Sequence, residues 1–261
     1  MKIIFLGDIF GRSGREALKL ILPKLRKDYE ADFVIVNGEN ASHGKGLTDN
    51  SLKEILSAGV DFVTTGDHAF DQKEATEIFS KKENPVLRPA NFPKGVGGKG
   101  WEVCKVGTKM ILVINLLGRT FMRCHPDDPF RIVKEILEQN DNIKCVLVDF
   151  HAEATAEKKA LGFYLDGLVS AVLGTHTHVQ TADEMILPKG TAFISDVGMD
   201  GPKNSIIGAR VDEVMKNTLM QIPFVLEPAD GPVEVNGVFL EIDDKTGLAK
   251  KIERIRENVE M

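Results

Sequence analysis

In the stretch Val169-Ser-Ala-Val-Leu-Gly-Thr-His176-Thr-His178, a short aliphatic run ends in a glycine and two histidines one residue apart. Such a run predicts a buried strand that passes into a loop. Because alternate residues of an extended chain point to the same side, His176 and His178 can face one point just beyond the strand. Two imidazoles at one point favour a metal site, although a lone histidine is more often an ordinary core or surface residue.

Length and composition are those of a globular protein. The 261 residues suffice for one large domain or at most two small ones, and contents of 43% hydrophobic and 28% charged residues are ordinary. The formal net charge of -6 argues against an extended nucleic-acid surface, so a nucleotide ligand would be held locally. The three cysteines, Cys104, Cys124 and Cys145, fit neither a disulfide framework nor a CxxC metal site. With no signal peptide or membrane span in the pattern, we expect a cytoplasmic protein.

Strand-like and helix-like stretches alternate along the chain. The first half predicts strands at 3–6, 33–36 and 61–65, helices at 17–25, 50–57 and 73–79, and Ser13 as the first N-cap. This β-α-β-α-β order argues for parallel strands joined by right-handed crossovers. Further on we expect a hairpin at 101–106 and 110–115, a strand at 143–148, and helices at 130–137 and 157–165. Late strands at 192–194, at 233–242 and after Leu248 predict a second, more antiparallel sheet, all within one domain, residues 1–261.

Polar side chains follow five of the predicted strands. In open α/β sheets, ligands bind beyond the carboxyl ends of the strands, so we expect these side chains to meet in one crevice. Helix caps and loop histidines would explain one or two such positions, but not all five. The residues are Asp8, Glu39, Asn40, Asp67, His68, His151, His176 and His178.

The donor types also predict the number of metals. Carboxylates, an amide and three imidazoles exceed what one ion needs, and the lack of thiolates disfavours a structural zinc. Mixed oxygen and imidazole ligands suit iron or manganese, with zinc as a further candidate. Two ions ~3.5–4 Å apart, bridged by a carboxylate and a hydroxide, clamp the oxygens of a phosphate and supply a nucleophile. The pattern therefore indicates phosphoester cleavage.

Several motifs resemble those of the calcineurin-like metallophosphoesterases. They are Gly7-Asp8, Gly38-Glu39-Asn40, Gly66-Asp67-His68, Phe150-His151 and Gly174-Thr-His176-Thr-His178. Within that superfamily the chain is most similar to the bacterial YmdB-like proteins, known as 2′,3′-cyclic-nucleotide phosphodiesterases, and the similarity spans nearly the whole chain. The resemblance implies an α/β fold built as a four-layer α/β/β/α sandwich of two mixed sheets.

The resemblance also implies a role for each motif residue. It makes His68 the general acid that protonates the leaving oxygen after attack by a metal-bridging hydroxide. Glu39 would bridge the two ions. The other ligands would be Asp8, Asn40 and His178 for one metal, and Asp67, His151 and His176 for the second.

Two positions depart from the wider pattern. Phe10 stands where most of the superfamily has a histidine, as the YmdB-like branch leads one to expect. Asp67 stands where the family has asparagine. An aspartate is a stronger ligand, but its charge lowers the Lewis acidity of the metals and repels an anionic substrate.

Four further residues each allow two interpretations. Asp71 either orients His68 or caps the helix that follows. Arg119 and Arg88 either hold the phosphate of the substrate or form surface salt bridges. His43 either contacts phosphate or is a surface histidine. We retain His43 and Arg119 as candidate substrate-binding residues.

Two functions follow from this pattern. The first is a dimetal phosphodiesterase for small phosphodiesters, with 2′,3′-cyclic nucleotides preferred and 3′,5′-cyclic nucleotides as a further substrate. The alternative is a metal-dependent nucleotide-binding or RNA-associated regulatory protein with little turnover. The acidic chain without a basic stripe favours the first. Neither function specifies whether the protein forms a homo-oligomer.

Overall fold

A computed structural model describes residues 1–221 and 227–260, in which strands and helices largely alternate. The first elements are β1 (Lys2–Ile9), α1 (Gly11–Tyr29), β2 (Phe33–Asn37), α2 (Asp49–Ser57), β3 (Phe62–Thr64), α3 (Ala75–Ser80), β4 (Trp101–Val106), β5 (Lys109–Leu117) and α4 (Pro129–Gln139). They are followed by β6 (Cys145–His151), α5 (Thr155–Tyr164), β7 (Ala171–Thr175), β8 (Met185–Ile186), β9 (Ala192–Ile194), β10 (Met199–Pro202), α6 (Val211–Met220), β11 (Val233–Ile242) and β12 (Ala249–Val259). The predicted hairpin of β4 and β5 is confirmed.

The described strands form two six-stranded sheets. The first has the order β12-β11-β10-β1-β2-β3, and the second has the order β4-β5-β6-β7-β9-β8. In the first sheet β1, β2, β3 and β10 run parallel, while β11 and β12 are antiparallel neighbours. In the second sheet β5, β6, β7 and β9 run parallel, with antiparallel strands at both edges. Both sheets are therefore mixed.

Alternation along the central strands builds the layers, because successive side chains of a strand face opposite sides of its sheet. In β1, Ile4 packs with residues of α1, whereas Phe5 packs with residues of the second sheet. In β5, Val113 belongs to the core between the sheets, whereas Ile114 packs with residues of α4 and α5. Three apolar cores thus separate four layers, which confirms the α/β/β/α sandwich.

The predicted placement of the late strands is wrong. Strand β9 runs parallel to β7 in the second sheet, whereas β11 pairs antiparallel with β1 in the first. The five predicted strand ends likewise lie on two facing sheets and not on one open sheet. A local pattern indicates that a segment is extended, but its strand partner is selected by packing between distant parts of the chain.

Two predicted helix starts are also wrong. Helix α1 begins at Gly11, whose backbone N–H donates to Asn40 O at 2.9 Å, so Ser13 lies inside the first turn and caps nothing. Helix α3 begins at Ala75, and Asp71 therefore lies in the turns before it. This placement leaves the Asp71 carboxylate available to another partner.

Buried polar contacts join the two sheets at the carboxyl ends of their strands. Asn37 Nδ2 donates to Asp149 Oδ2 at 3.0 Å, and the Thr64 hydroxyl donates to the same oxygen. The Thr65 N–H donates to Asn115 Oδ1 at 3.1 Å. These contacts hold the ends of β2 and β3 against β5 and β6, so the residues that follow come together. Among the described residues, no helix combines the length and apolarity needed to cross a bilayer.

Candidate metal centre

Four side chains from both sheets converge at this edge. Glu39 and Asp67 follow β2 and β3 of the first sheet, while His151 ends β6 and His176 follows β7 in the second. One donor atom from each of the four lies within 4.8 Å of the others. His151 Nε2 is 3.1 Å from Glu39 Oε1 and 3.4 Å from Asp67 Oδ1. The group has the donors and the spacing to hold a metal ion.

The remaining predicted ligands lie beside this group. Asp8 is fully buried at the end of β1; its Oδ2 accepts from the His176 N–H at 3.1 Å, and its Oδ1 is 3.8 Å from His151 Nδ1. Asn40 Oδ1 and His178 Nε2 face each other at 3.2 Å. The structure thus brings all seven predicted metal ligands to one end of the sandwich, in two adjoining sets.

Each of the three histidines has one ring nitrogen held by an outer partner. His151 Nδ1 is 2.9 Å from Thr175 Oγ1, whose hydroxyl donates to Asp149 Oδ1 at 2.7 Å and must therefore accept from the imidazole. His178 Nδ1 donates to Ile207 O at 2.9 Å. Nδ1 carries a hydrogen in both rings, so Nε2 is the nitrogen that faces the interior.

His176 has the opposite orientation. Its Nε2 is 3.2 Å from a Glu153 carboxylate oxygen, while its Nδ1 is 3.0 Å from His151 Nε2 and 3.6 Å from Asp67 Oδ1. A carboxylate behind a histidine is a common outer partner of a metal ligand, because it fixes the ring and raises its basicity. All three imidazoles therefore direct their other ring nitrogen to the same region.

The electrostatics of the group are those of a cation site. Burial opposes the charged form of His151, but Glu39 and Asp67 outweigh burial and raise the pKa of His151 well above its usual value. Burial and the neighbouring His151 lower the pKa of His176 to about 4. Burial raises the pKa of Asp8 well above its usual range, although the His151 charge opposes that shift. In the protein alone, the positive charge of protonated His151 balances the Glu39 and Asp67 carboxylates. A bound metal ion would balance the same two carboxylates.

Two unpaired carboxylate oxygens and the close packing around a glycine also indicate that these residues fit a divalent cation. Asp8 Oδ1 and Asp67 Oδ1 are buried without a hydrogen-bond partner in the described part of the chain. Buried carboxylate oxygens are costly to leave unpaired, and coordination of a metal would satisfy both. A Cβ at position 66 would overlap Glu39 Oε2 and the His151 ring, so only glycine lets these donors approach. The residues present fit a divalent metal.

His68 lies at the margin of the group. Its backbone N–H donates to Glu39 Oε2 at 3.2 Å, and its Nδ1 is 2.7 Å from Asp71 Oδ2. Asp71 thus contacts His68, in agreement with the first of its two sequence readings. Arg123 also reaches this point: its Nη2 donates to Asp71 Oδ1 at 3.0 Å and to Asp67 O at 2.7 Å.

The two predicted substrate-binding residues lie elsewhere. Arg119 lines a cavity with Asp128 and Glu157, and its guanidinium is 3.6 Å from the Asp128 carboxylate. His43 lines a different cavity on the side of α1, near Arg12. Neither cavity is lined by a candidate metal ligand, so a substrate role for either residue stays a prediction. Arg88 is bound by backbone carbonyls, including Pro89 O at 2.7 Å.

Sequence reasoning missed the outer partners of the site. Asp149 lies between two predicted elements, and its neighbour His151 was recognised; its proximity to the family motif was the only available signal. Thr175 lies within the Gly174-Thr-His176 motif and Glu153 lies two residues after His151, but a threonine in a strand and an acid before a helix are both common, so neither residue type predicts an outer partner. Arg123 lies in the loop of residues 118–128, where no local pattern predicts contact with His68.

The fold and the carboxylate and imidazole group define a calcineurin-like metallophosphoesterase. A four-layer sandwich of two mixed sheets, with these donors beyond the ends of parallel strands of both sheets, is the arrangement of that class. The chain belongs to the YmdB-like protein family, whose model matches residues 4–255. The resemblance found in the sequence is thereby confirmed.

Similar proteins support the same class. The 2′,3′-cyclic-nucleotide 2′-phosphodiesterase of Bacillus subtilis is 47% identical to this chain, covering 98% of the chain and 96% of its own length. The crystal structure of a phosphatase from Mycoplasma pneumoniae is 38% identical with a TM-score of 0.94, covering 100% of this chain and 94% of its own. A hypothetical protein from Thermus thermophilus is 42% identical with a TM-score of 0.93, covering 99% of each chain. The NAD nucleotidase of Haemophilus influenzae, at 14% identity and a TM-score of 0.62, shares only the fold, over 100% of this chain and 56% of its own.

Proposed function

We propose that this protein is a dimetal phosphodiesterase that hydrolyses 2′,3′-cyclic nucleotides faster than 3′,5′-cyclic ones. The observation that carries the proposal is the common direction of three imidazoles. His151, His176 and His178 each have one nitrogen held from outside, and the other faces the group of candidate ligands. The 47% identity to the Bacillus subtilis enzyme supports the substrate class.

The residues divide between two metal positions. Asp67, His151 and His176 would hold one ion, while Asp8, Asn40 and His178 would hold the other, with Glu39 between them. When bound, the two ions supply Lewis acidity and lower the pKa of a coordinated water towards roughly 7. We propose iron or manganese, with zinc as a further candidate, because the donors are oxygen and imidazole without thiolate.

His68 would deliver the proton to the leaving oxygen. Asp71 engages Nδ1 of the ring, so Nε2 is the nitrogen that remains for a substrate. The hydrogen bond from the His68 backbone N–H to Glu39 keeps this ring next to the metal-binding group and does not use either nitrogen of the ring. His68 would thus act as a general acid, a role that contributes ~10²–10⁴-fold to a rate.

The site favours a small cyclic substrate. One phosphodiester with two non-bridging oxygens suffices for a pair of ions, and a five-membered cyclic phosphate brings ring strain that lowers its barrier. A long RNA strand would approach a chain of net charge -6. Such a chain gains little from counterion release, so we expect slow cleavage of internal RNA linkages.

Side-by-side rates test the proposal. The protein would be loaded with Mn²⁺ and assayed on 2′,3′-cyclic AMP, 3′,5′-cyclic AMP and a structured RNA of known sequence. We expect the 2′,3′-cyclic substrate to be hydrolysed fastest. Faster cutting of the RNA would contradict the substrate class. Mn²⁺ binding without turnover of any of the three would instead favour the alternative, a nucleotide-binding protein.

A further inference from the structure

His176 and His178 have an unusual backbone. Their φ angles are 100° and 64°, in the left-handed region where residues other than glycine are uncommon. Such conformations persist where surrounding contacts determine them. The turn that carries two candidate ligands therefore needs an anchor, and the residue between them is Thr177.

Thr177 is anchored by one carboxylate oxygen. Asp196 Oδ2 accepts from the Thr177 backbone N–H at 3.0 Å and from its hydroxyl at 2.8 Å. The other oxygen, Oδ1, accepts from the Gly198 N–H at 2.9 Å, which fixes the orientation of the carboxylate. Both polar groups of Thr177 are thus held on the side of the turn that faces Asp196.

A buried lysine completes the arrangement. Lys158 of α5 donates from Nζ to the same Asp196 Oδ2 at 2.8 Å, and both side chains are 1% exposed. A lysine so deeply buried is unusual, and the desolvation of two charges can exceed the attraction between them. A contribution to the free energy of unfolding is therefore a weak explanation for the presence of this buried ion pair. Its contact with the turn suggests a second reason.

We propose that Asp196 and Lys158 are positioning residues that hold the His176-Thr177-His178 turn in the conformation that binds metal. This inference rests on the proposed function. Lys158 balances the charge of Asp196 inside the protein, and Asp196 fixes Thr177, so that the flanking imidazoles face Asp67 on one side and Asn40 on the other. The residues next to His176 in the sequence then cannot form the metal site without Asp196 and Lys158.

A purely structural role makes a different prediction. If the pair only joined α5 to the segment after β9, its replacement would change the stability of the fold and leave the metal affinity of the folded protein unchanged. Buried ion pairs replaced by apolar residues of similar volume often give proteins of equal or greater stability. The double variant Lys158→Met/Asp196→Leu therefore separates the two roles.

The experiment measures Mn²⁺ affinity by calorimetry, with the thermal midpoint of the metal-free protein recorded in parallel. We expect the double variant to fold and to bind Mn²⁺ roughly 10–100-fold more weakly, the range found when outer partners of metal ligands are removed. Thr177→Val keeps the buried pair and removes a single hydrogen bond, so it should fold and lose affinity several-fold. Asp183→Asn is the matched control: Asp183 accepts from Oγ of Ser195, the neighbour of Asp196, at 2.6 Å, and within residues 1–221 and 227–260 it makes no hydrogen bond to Thr177.

The outcomes are distinct. Unchanged Mn²⁺ affinity in the folded double variant, or in Thr177→Val should the double variant not fold, would overturn the positioning role and leave the proposed function intact. An equal loss of affinity in Asp183→Asn would overturn it as well, because general loosening would then explain the effect. Failure of the unmodified protein to bind Mn²⁺ would overturn the proposed function, and the positioning role with it.

Discussion

The Nδ1 of His68 lies 2.7 Å from Oδ2 of Asp71, and both oxygens of that carboxylate are also within reach of Arg123. The contact fixes the plane of the imidazole beside Glu39. It also makes the two ring nitrogens unequal, because one is engaged by Asp71 and the other remains for a substrate. A histidine in this arrangement is suited to deliver a proton in a fixed direction.

His68→Ala should retain its metals and lose turnover in a way that depends on the leaving group. We expect a loss of ~10²-fold or more on 2′,3′-cyclic AMP, whose leaving alkoxide needs a proton. Esters that release nitrophenolate need less protonation and should lose less. Metal analysis and rates on both substrates provide the measurement, with His125→Ala as the control histidine. Equal losses on both substrates would remove His68 from the acid role.

The charge of Asp67 should be coupled to Arg123. Arg123 Nε is 3.5 Å from Asp67 Oδ2, and the arginine side chain is 52% exposed. Asp67→Asn should raise turnover because it removes a negative charge beside the metals. Arg123→Met should lower turnover, and should lower it less when Asp67 is already asparagine. Since Arg123 is half-exposed and solvent screens its charge, we expect coupling of several-fold and not of orders of magnitude.

A double-mutant cycle on kcat and KM measures this coupling. Arg131→Met, a change of an exposed arginine in α4, serves as the control for loss of positive charge. Additive effects of the Asp67 and Arg123 changes would mean that the pair does not act as a unit. A fall in turnover for Asp67→Asn with unchanged metal content would mean that the site requires the aspartate.

Glu39→Gln should lose both metal ions or bind them at partial occupancy. Glu39 lies between the two proposed metal positions, and the His151 charge outweighs its burial and holds the pKa of this carboxyl below its usual value. A neutral amide cannot balance two cations in the same way. Elemental analysis of protein prepared without chelator gives the result, and Glu135→Gln on the exposed face of α4 is the control. Two metals per chain in Glu39→Gln would contradict the bridging role.

The elements of the fold could be predicted from sequence far better than their arrangement. The run Phe33-Val-Ile-Val and the heptad-like spacing of Leu18, Leu22 and Leu25 each identify an element, because periodicity follows local geometry. By contrast, the assignment of β9 to the second sheet depends on contacts with β7, which is distant in the chain. The four-layer sandwich was available only through the resemblance to a family. The prediction of one domain, residues 1–261, stays a prediction.

The candidate site could be predicted for a related reason. His151 ends a strand that has a clear local pattern, and Glu39 and His176 each follow one, so the rule for strand ends places each at the carboxyl edge of its own sheet. That the two edges meet follows from the packing of one sheet on the other, which no local pattern predicts. Arg123 and Glu153 reach the same place from loops, whose paths are not written in any local periodicity. Their contacts, and the buried pair of Lys158 and Asp196, emerge only from the folded chain.

Asp200 should make the stability of the protein depend on pH. The residue is fully buried in β10, its Oδ1 accepts from the Asn236 N–H at 2.8 Å, and its Oδ2 has no hydrogen-bond partner in the described part of the chain. Burial raises the pKa of Asp200 well above its usual value. Between the pKa of Asp200 in the unfolded chain and its higher pKa in the folded protein, the carboxyl group is therefore protonated in the folded state and ionised in the unfolded state.

The sign of this linkage predicts the effect of Asp200→Asn. Below the pKa of the unfolded chain, near 4, both states hold the proton and the residue has no pH effect. As pH rises from there to the folded pKa, the natural protein loses about 1.4 kcal/mol of stability per pH unit, because only the folded state keeps the proton. Asparagine is neutral throughout and can keep the bond from Asn236. In urea unfolding, Asp200→Asn should therefore gain stability over the natural protein as pH rises from 5 to 7.5, whereas Asp141→Asn at an exposed position should not. An equal difference at both pH values would mean that Asp200 is already ionised in the folded protein.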